Sequence, residues 1–281
     1  MIRIKDRQKI SNAVVFLLLV AIGFTMIYPF VWMISVSLEQ TANVAMPFPP
    51  RLIPKQFSWF HYGLVFENNK LLLAYWNSIV IAVFCVVLSV SSALLGGYAF
   101  SRGNFKGKRL LFFAVLATMM IPFETRLIPM FTMFNDIGLI NTKYPLILPS
   151  IVNALGLVLT KQYFDQLPEG LRESAKMDGA GEFKTFFYIF APLTGPITAT
   201  LSILSFQDSW NSFIWPLVVI NDQDLKTVPL FLSSFSTENG GRLAGVTMAL
   251  AAMSILPMLL VFLFFQKYII RSIALSGLKG E

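Results

Sequence analysis

Few residues of this 281-residue chain could do chemistry, and most reaction classes have nowhere to start. Nucleotide hydrolysis needs a glycine-rich loop, GxxxxGKS or GxxxxGKT, whose amides cradle phosphate and whose lysine meets the terminal phosphates. The nearest approach, Gly103 to Arg109 (GNFKGKR), has the wrong spacing and ends in arginine. Neither a GxSxG nucleophile elbow nor an HExxH zinc motif occurs. His61 and Cys85 are each the single residue of their kind, so no metal-ligand spacing can be built on them and no internal disulfide can form. Cys85 lies in an apolar run and reads as a small buried hydrophobe. The expectation is a chain with no catalytic residue, no metal and no cofactor of its own.

Three polar groups remain, each set in apolar surroundings. The longest is Glu173 to Pro192, ESAKMDGAGEFKTFFYIFAP. Pro168 suits the first turn of a short helix, Glu169 and Glu173 suit its positive N-terminal end, and Gly179 can take the left-handed turn that stops it. Phe183, Phe186, Phe187 and Phe190 recur at i, i+3, i+4 and i+7, one apolar face of a second short helix ended by Pro192. Ser174, Ala175, Gly179, Ala180 and Gly181 leave little side chain at the elbow between them, so another protein's surface can approach its backbone closely. The second group is Gln207, Asp208, Ser209, Trp210 and Asn211, polar and aromatic residues that are costly in an apolar span unless they face a cavity or a partner; interhelical hydrogen bonding is the alternative use. The third is Glu124 with Arg126, which either pair with each other or face a pathway.

The elements that position these groups follow from composition. Hydrophobic residues make up 56% of the chain and charged residues 13%, against about a quarter charged in an ordinary domain, so the chain is an integral membrane protein. Its net charge of +7 sits between apolar runs, which fits loops held at the cytoplasmic face and excludes a nucleic-acid surface. Six runs are long enough to cross a bilayer as helices: 13–38, 77–100, 110–131, 144–164, 196–220 and 245–270. The first exceeds the apolar core of a secretory signal, about 7–15 residues, and is read as a retained span. Pro122 and Pro129 predict a kinked or broken third span, the segment 39–76 reads as an external loop with room for a short surface helix, and 221–243 reads as an external loop.

Charge tests that topology. Arg3, Lys5, Arg7, Lys9, Arg102, Lys106, Lys108, Arg109, Lys161, Arg172, Lys176, Lys184, Lys267, Arg271 and Lys279, 15 of the 22 basic residues, fall on alternate segments, which puts both termini inside. The expected organisation is an N-terminal cytoplasmic segment 1–12, a six-helix domain 13–270 containing the elbow 168–192 on its cytoplasmic side, and a cytoplasmic tail 271–281.

Glu173, Ala175, Asp178, Gly179, Ala180, Phe186, Ile189 and Pro192 resemble the cytoplasmic signature of bacterial ABC importer permeases, EAAxxDGAxxxxxFxxIxxP, with Ser174 in place of one alanine. The resemblance extends over nearly the whole chain. Tyr28-Pro29-Phe30, the stretch PFETRLIP from Pro122 to Pro129, Trp210-Asn211 with Trp215-Pro216, and the terminal Ser276 to Gly280 look like the carbohydrate-uptake group, the binding-protein-dependent inner-membrane components of the maltose-transporter type, and its smaller permease subunit.

That resemblance implies a bacterial inner-membrane, multi-pass subunit that forms a translocation pathway for a sugar, an oligosaccharide, together with a second permease. It also implies two ATP-binding subunits that use ATP and Mg, and an extracytoplasmic solute-binding protein that meets the 221–243 segment. The elbow would be a coupling helix seated in an ATPase groove: Glu173, Ser174, Ala175, Asp178, Gly179 and Ala180 make the contact, and Phe183, Phe186, Phe187 and Phe190 anchor it. Gly277 to Gly280 would reach the ATPases too. Sugar recognition needs aromatic faces and hydrogen-bonding groups in one place, so Gln207, Asp208, Trp210, Asn211, Glu124 and Arg126 are the path candidates. The same machine carrying glycerol 3-phosphate or a polyol-like solute, with Arg126 meeting the phosphate, is one rival reading. An ion-coupled secondary transporter, which would need no coupling helix, is another.

Overall fold

A computed structural model of the chain describes residues 4–67, 69–238 and 241–277, with backbone course alone for 4–11, 69 and 267–277. In chain order the helices are α1 (Ile4–Ser37), α2 (Phe60–Glu67), α3 (Asn69–Arg102), α4 (Lys108–Thr118), α5 (Phe123–Asp136), α6 (Tyr144–Ile147) and α7 (Ala154–Asp165). There follow α8 (Gly170–Met177), α9 (Glu182–Thr185), α10 (Ala191–Leu193), α11 (Gly195–Asn211), α12 (Ile214–Val219), α13 (Val228–Glu238) and α14 (Ala244–Gly277). The only extended pairing among the described residues is an isolated bridge between Glu39 and Phe57, so the expected all-α class holds.

Among the described residues four runs are long and apolar enough to cross a membrane: Asn12–Ser37, Lys70–Arg102, Tyr144–Asp165 and Ala244–Gln266. Two more qualify only as bent pairs, α4 with α5 at 101° and Glu182–Leu193 with α11 at 80°. The expected break in the third run is therefore present. Pro122, with no amide hydrogen to give, stands as the N-cap of α5. The second bend falls at Thr194, after which α11 opens with proline in its first turn. No residue in the most apolar 18-residue stretch of the Asn12–Ser37 run is buried within the chain, so the faces of that stretch are open to lipid or to another subunit, whereas Ser35, Val36 and Ser37 at its end are buried.

Several expected boundaries move. Trp76, the last residue of the expected 39–76 loop, lies inside α3, which begins at Asn69. The 221–243 segment is not a plain loop: Val228, Leu230 and Phe231 are buried along one side of α13, and their apolar spacing within VPLFLSSF is what makes that helix. α1 already begins inside the 1–12 segment, and α14 continues past residue 270 to Gly277; Leu278 to Gly280, part of the expected ATPase contact, lie outside the described residues.

The chain divides into two compact units. One holds α1, α2 and the Leu232–Leu256 stretch. Its centre is polar: the buried Glu39 carboxylate accepts from the amides of Lys55 at 2.6 Å and Gln56 at 3.1 Å, while its carbonyl accepts from His61 Nε2 at 2.9 Å. Asn43 sits 3.2 Å from His61 Nδ1 through its amide nitrogen, and its oxygen accepts from the Gly245 amide at 2.9 Å, a cap on the start of α14. Glu39→Ala removes the shared acceptor of two amides in the proline-rich segment, an expected loss of about 0.5–1.5 kcal/mol for each hydrogen bond, whereas Glu39→Gln keeps one acceptor oxygen. A thermal-unfolding series on the purified protein checks the order; equal midpoints for Ala and wild type would refute it.

The other unit contains Leu72–Phe231, and α3 is its spine. Asn77 donates to the carbonyls of Asp224 and Lys226, Ser78 accepts from the Val228 amide, and Ser89 meets both Ser205 and Asn153. Such short polar bridges hold helices together where lipid removes the hydrophobic drive between them. Apolar clusters fill the gaps, Val90 and Ala93 with Leu201 at mid-length and Tyr98 with Phe164, Phe186 and Phe190 at the last turns of α3. Trp215 packs with Phe134, Val219, Ile220 and Leu230, and its indole donates to the Pro145 carbonyl at 2.8 Å.

Candidate functional site

The elbow is built as two arms around a glycine. α8 starts after Glu169, so Pro168 stands just outside the helix and not in its first turn. At the other end Gly179 has φ +76°, the Gly179 amide bonds the Lys176 carbonyl at 3.0 Å, and the Ala180 amide bonds the Ala175 carbonyl at 2.9 Å. That pair of bonds is the Schellman stop, and a residue without a side chain at the left-handed position is what it needs. The second arm begins at Glu182.

Which side chains the elbow presents differs from the sequence expectation in one place. Glu173, Ser174, Asp178 and Gly179 are exposed and Ala180 is half-buried, but Ala175 is buried against the chain itself. Its smallness serves the packing of α8 onto its own protein. Met177, which sequence reasoning passed over, is 82% exposed beside them. A large apolar side chain at Met177, one turn from Glu173, is unfavourable in water and suits a covered surface.

The four phenylalanines do not form one stripe. Phe186–Phe190 is a π-helical turn between α9 and α10, and the helix runs on through Pro192 to Leu193. A π turn takes more residues per revolution than the 3.6 assumed, so the spacing splits into two rows. Phe186 and Phe190 are buried with Tyr98 and Phe164, whereas Phe183 and Phe187 point outward, Phe187 edge-on to Phe186 at 5.0 Å. The anchor inside this chain is Phe186 with Phe190.

A polar clasp with no local trace in the sequence joins the arms. Arg172 of α8 bonds Glu182 at 2.6 Å and Glu169 at 3.3 Å, and Lys176 approaches Glu182 at 3.4 Å. Glu182 also accepts from the Tyr98 hydroxyl at 3.0 Å, and Glu169 pairs with Arg102. The Glu182 hydrogen bonds, with Glu169 behind them, hold the Arg172 guanidinium above its ordinary range against partial desolvation. Exposed ion pairs of this kind contribute about 0–1 kcal/mol each, so the clasp matters as geometry.

The path candidates are not brought together. Trp210 is buried, stacked on Phe206 at 5.5 Å and tilted against Tyr75 at 6.2 Å, while Gln207, Asp208 and Asn211 are exposed. Positions i, i+1 and i+4 share one side of α11 and Trp210, four after Phe206, takes the other, so the aromatic face and the hydrogen-bonding groups part. Glu124 and Arg126 make no ion pair among the described residues. Two apart on α5, they project to different sides, and Arg126 lies over the Phe123 ring at 5.9 Å.

Apolar helices of crossing length with a polar elbow between two of them define an integral membrane protein. Residues 86–275 match the model of the family described as binding-protein-dependent transport system inner membrane component. The arabinooligosaccharides transport permease AraQ of Bacillus subtilis (strain 168) is 36% identical over 228 residues, 81% of each chain. The lactose transport permease LacG of Rhizobium radiobacter is 30% identical over 272 residues, 94% of this chain and 96% of its own. A chain from the crystal structure of a bacterial ABC transporter involved in import of the acidic polysaccharide alginate superposes with a TM-score of 0.83 at 26% identity, covering 95% of this chain and 99% of that one. The protein belongs to the binding-protein-dependent transport system inner membrane component family.

Proposed function

We propose that the protein is one of two permease subunits of an ATP-driven bacterial importer and forms, with its partner, the pathway for an oligosaccharide. The observation that carries this reading is the elbow, a rigidly stopped short helix whose exposed face is Glu173, Ser174, Met177, Asp178 and Gly179, in a chain of this family. The elbow seats in a groove of a separate ATP-hydrolysing subunit, and closure of two such subunits rocks the spans between inward and outward access. Relatives named for arabinooligosaccharides and lactose, and a structural neighbour that imports alginate, support a saccharide as cargo. A solute-binding protein delivers it from outside.

Taking each bent pair as one span gives six crossings with both termini in the cytoplasm, and the alternation of basic residues supports that orientation. The apolar stretch of the Asn12–Ser37 run, unburied within the chain, supports a neighbouring permease subunit as well as lipid around it.

The test is uptake by vesicles holding this subunit with its second permease, two ATPases and the solute-binding protein. Labelled arabino-, malto- and galacturono-oligosaccharides are offered beside glycerol 3-phosphate. Uptake of a saccharide that requires both ATP and the binding protein is expected. Uptake of glycerol 3-phosphate alone would overturn the cargo, and uptake driven by an ion gradient without ATP would overturn the machine.

A further inference from the structure

We infer that Arg102, with Tyr98 one turn before it, is a positioning device for the transport step: it locks the last turn of α3 to both arms of the elbow, so that movement of the elbow is delivered to α3 directly. This inference rests on the elbow being the coupling element.

Chain connectivity alone would pass a displacement of the elbow only to its covalent neighbours, α7 before it and α11 after it. The side chains add a third route. Arg102 has a side chain only 9% exposed, and its guanidinium has three tasks at once. It donates to the carbonyl of Phe164 at 2.6 Å, which also accepts from the Leu167 amide, and to the carbonyl of Leu167 just past the end of α7, and it pairs with Glu169 at the head of α8. Its carbon centre lies 5.6 Å over the Phe190 ring of the second arm. Glu169 passes the contact to Arg172, Arg172 to Glu182, and Glu182 back to α3 through the Tyr98 hydroxyl. The circuit is closed, and its two attachments on α3 are four residues apart on one face. A single tether would let the elbow pivot about it; two tethers a turn apart transmit rotation as well as translation.

The planar five-donor fork of arginine suits this position, since lysine offers a point charge on a flexible stem and cannot serve two carbonyls and a carboxylate in fixed directions. α3 is also the helix best placed to distribute motion, because Asn77, Ser78 and Ser89 bridge from it to the 224–228 segment, to α11 and to the start of α7.

The experiment measures sugar taken up per ATP hydrolysed in the reconstituted complex. Arg102→Gln is expected to assemble and to hydrolyse ATP within about twofold of wild type while uptake per ATP falls about tenfold, with Arg102→Lys between them. Tyr98→Phe, which removes only the hydroxyl, is expected to lose about threefold in the same ratio. The rescue uses Ser101 and Asp165, hydrogen-bonded at 2.6 Å between the ends of α3 and α7. In an Arg102→Gln, Cys85→Ala background, a disulfide between Ser101→Cys and Asp165→Cys is expected to restore the ratio when oxidised and to lose it again when reduced.

An unchanged ratio in both Arg102→Gln and Tyr98→Phe overturns the inference, as does a ratio that stays low in the oxidised double cysteine. Should Arg102→Gln fail to assemble, Tyr98→Phe carries the test alone. Gly179→Val in the same assay separates the two levels. If it leaves uptake per ATP untouched, the elbow is not the coupling element; if it uncouples while the α3 variants do not, only the role given to Arg102 and Tyr98 fails.

Discussion

Gly179→Val and Gly179→Asn are both expected to lower ATP-driven uptake by about tenfold, yet for different reasons that one further measurement separates. At φ +76° an ordinary L residue carries a penalty of roughly 1–2 kcal/mol, and a β-branched one more, enough to shift the elbow population by about 5–30-fold. Valine therefore disturbs the elbow before any partner arrives: the bonds from Ala180 to Ala175 and from Gly179 to Lys176 exist only while the left-handed turn holds. Asparagine tolerates that turn, so the subunit alone keeps its melting temperature. A Cβ added at this position meets no heavy atom of this chain within 4 Å, so the space beside the turn is open to another protein. If an ATPase surface fills it, asparagine collides in the complex and uptake falls as far as with valine. Wild-type uptake in Gly179→Asn would mean that nothing docks at this turn, and the proposed contact surface would have to move elsewhere on the elbow.

The elbow was legible because its signals are local. Glycine at the stop, acidic residues at the start and small residues between them act over four or five positions, and the Schellman turn at Gly179 follows directly from them. The helix break near Pro122 was legible for the same reason: a residue without an amide hydrogen acts on its own turn. The phenylalanine stripe failed because a spacing rule presupposes the helix type, and the π turn at Phe186 reassigns Phe183 and Phe187 to the outside without altering a single residue. Ala175 failed differently. Small residues suit both a partner's approach and tight packing on the chain's own core, and only burial tells the two apart. Tyr98 and Glu182 are 84 residues apart and Arg102 and Glu169 are 67, so the clasp has no local trace. Arg102 carried a topological meaning, as one of the inner basic residues, which accounted for its charge and concealed its hydrogen bonds.

Gly97→Ala is expected to destabilise the protein by about 1–3 kcal/mol, and removing the side chain it strikes is not expected to repair it. A methyl group at Gly97 of α3 would overlap Thr160 Oγ1, lie 2.6 Å from Thr160 Cβ and come within 2.8 Å of the backbone nitrogen of Lys161. Thr160 is fully buried and its hydroxyl donates to the Ala93 carbonyl at 2.6 Å, so it has nowhere to turn. In Gly97→Ala with Thr160→Ala the hydroxyl conflict disappears, but the Cβ and the backbone nitrogen stay where they are, and α3 must still retreat from α7. The neighbouring Gly96 supplies the control: its added methyl meets the Leu157 side chain alone, Cδ1 at 2.8 Å and Cγ at 3.4 Å, and the close atom is the far end of a side chain that can rotate, so Gly96→Ala is expected to cost much less. Melting midpoints of the solubilised complex give the ranking, at about 2–4 °C per kcal/mol for a domain of 150–250 residues. Full recovery in the double variant would show that the hydroxyl alone, and not the approach of two backbones, sets the spacing. The same spacing fixes where the last turn of α3 meets the elbow, since Tyr98 adjoins Gly97 and Arg102 follows it by little more than one turn. Gly97→Ala should therefore lower uptake per ATP even at temperatures where the complex remains folded, whereas a purely structural role would leave that ratio unchanged until the protein melts.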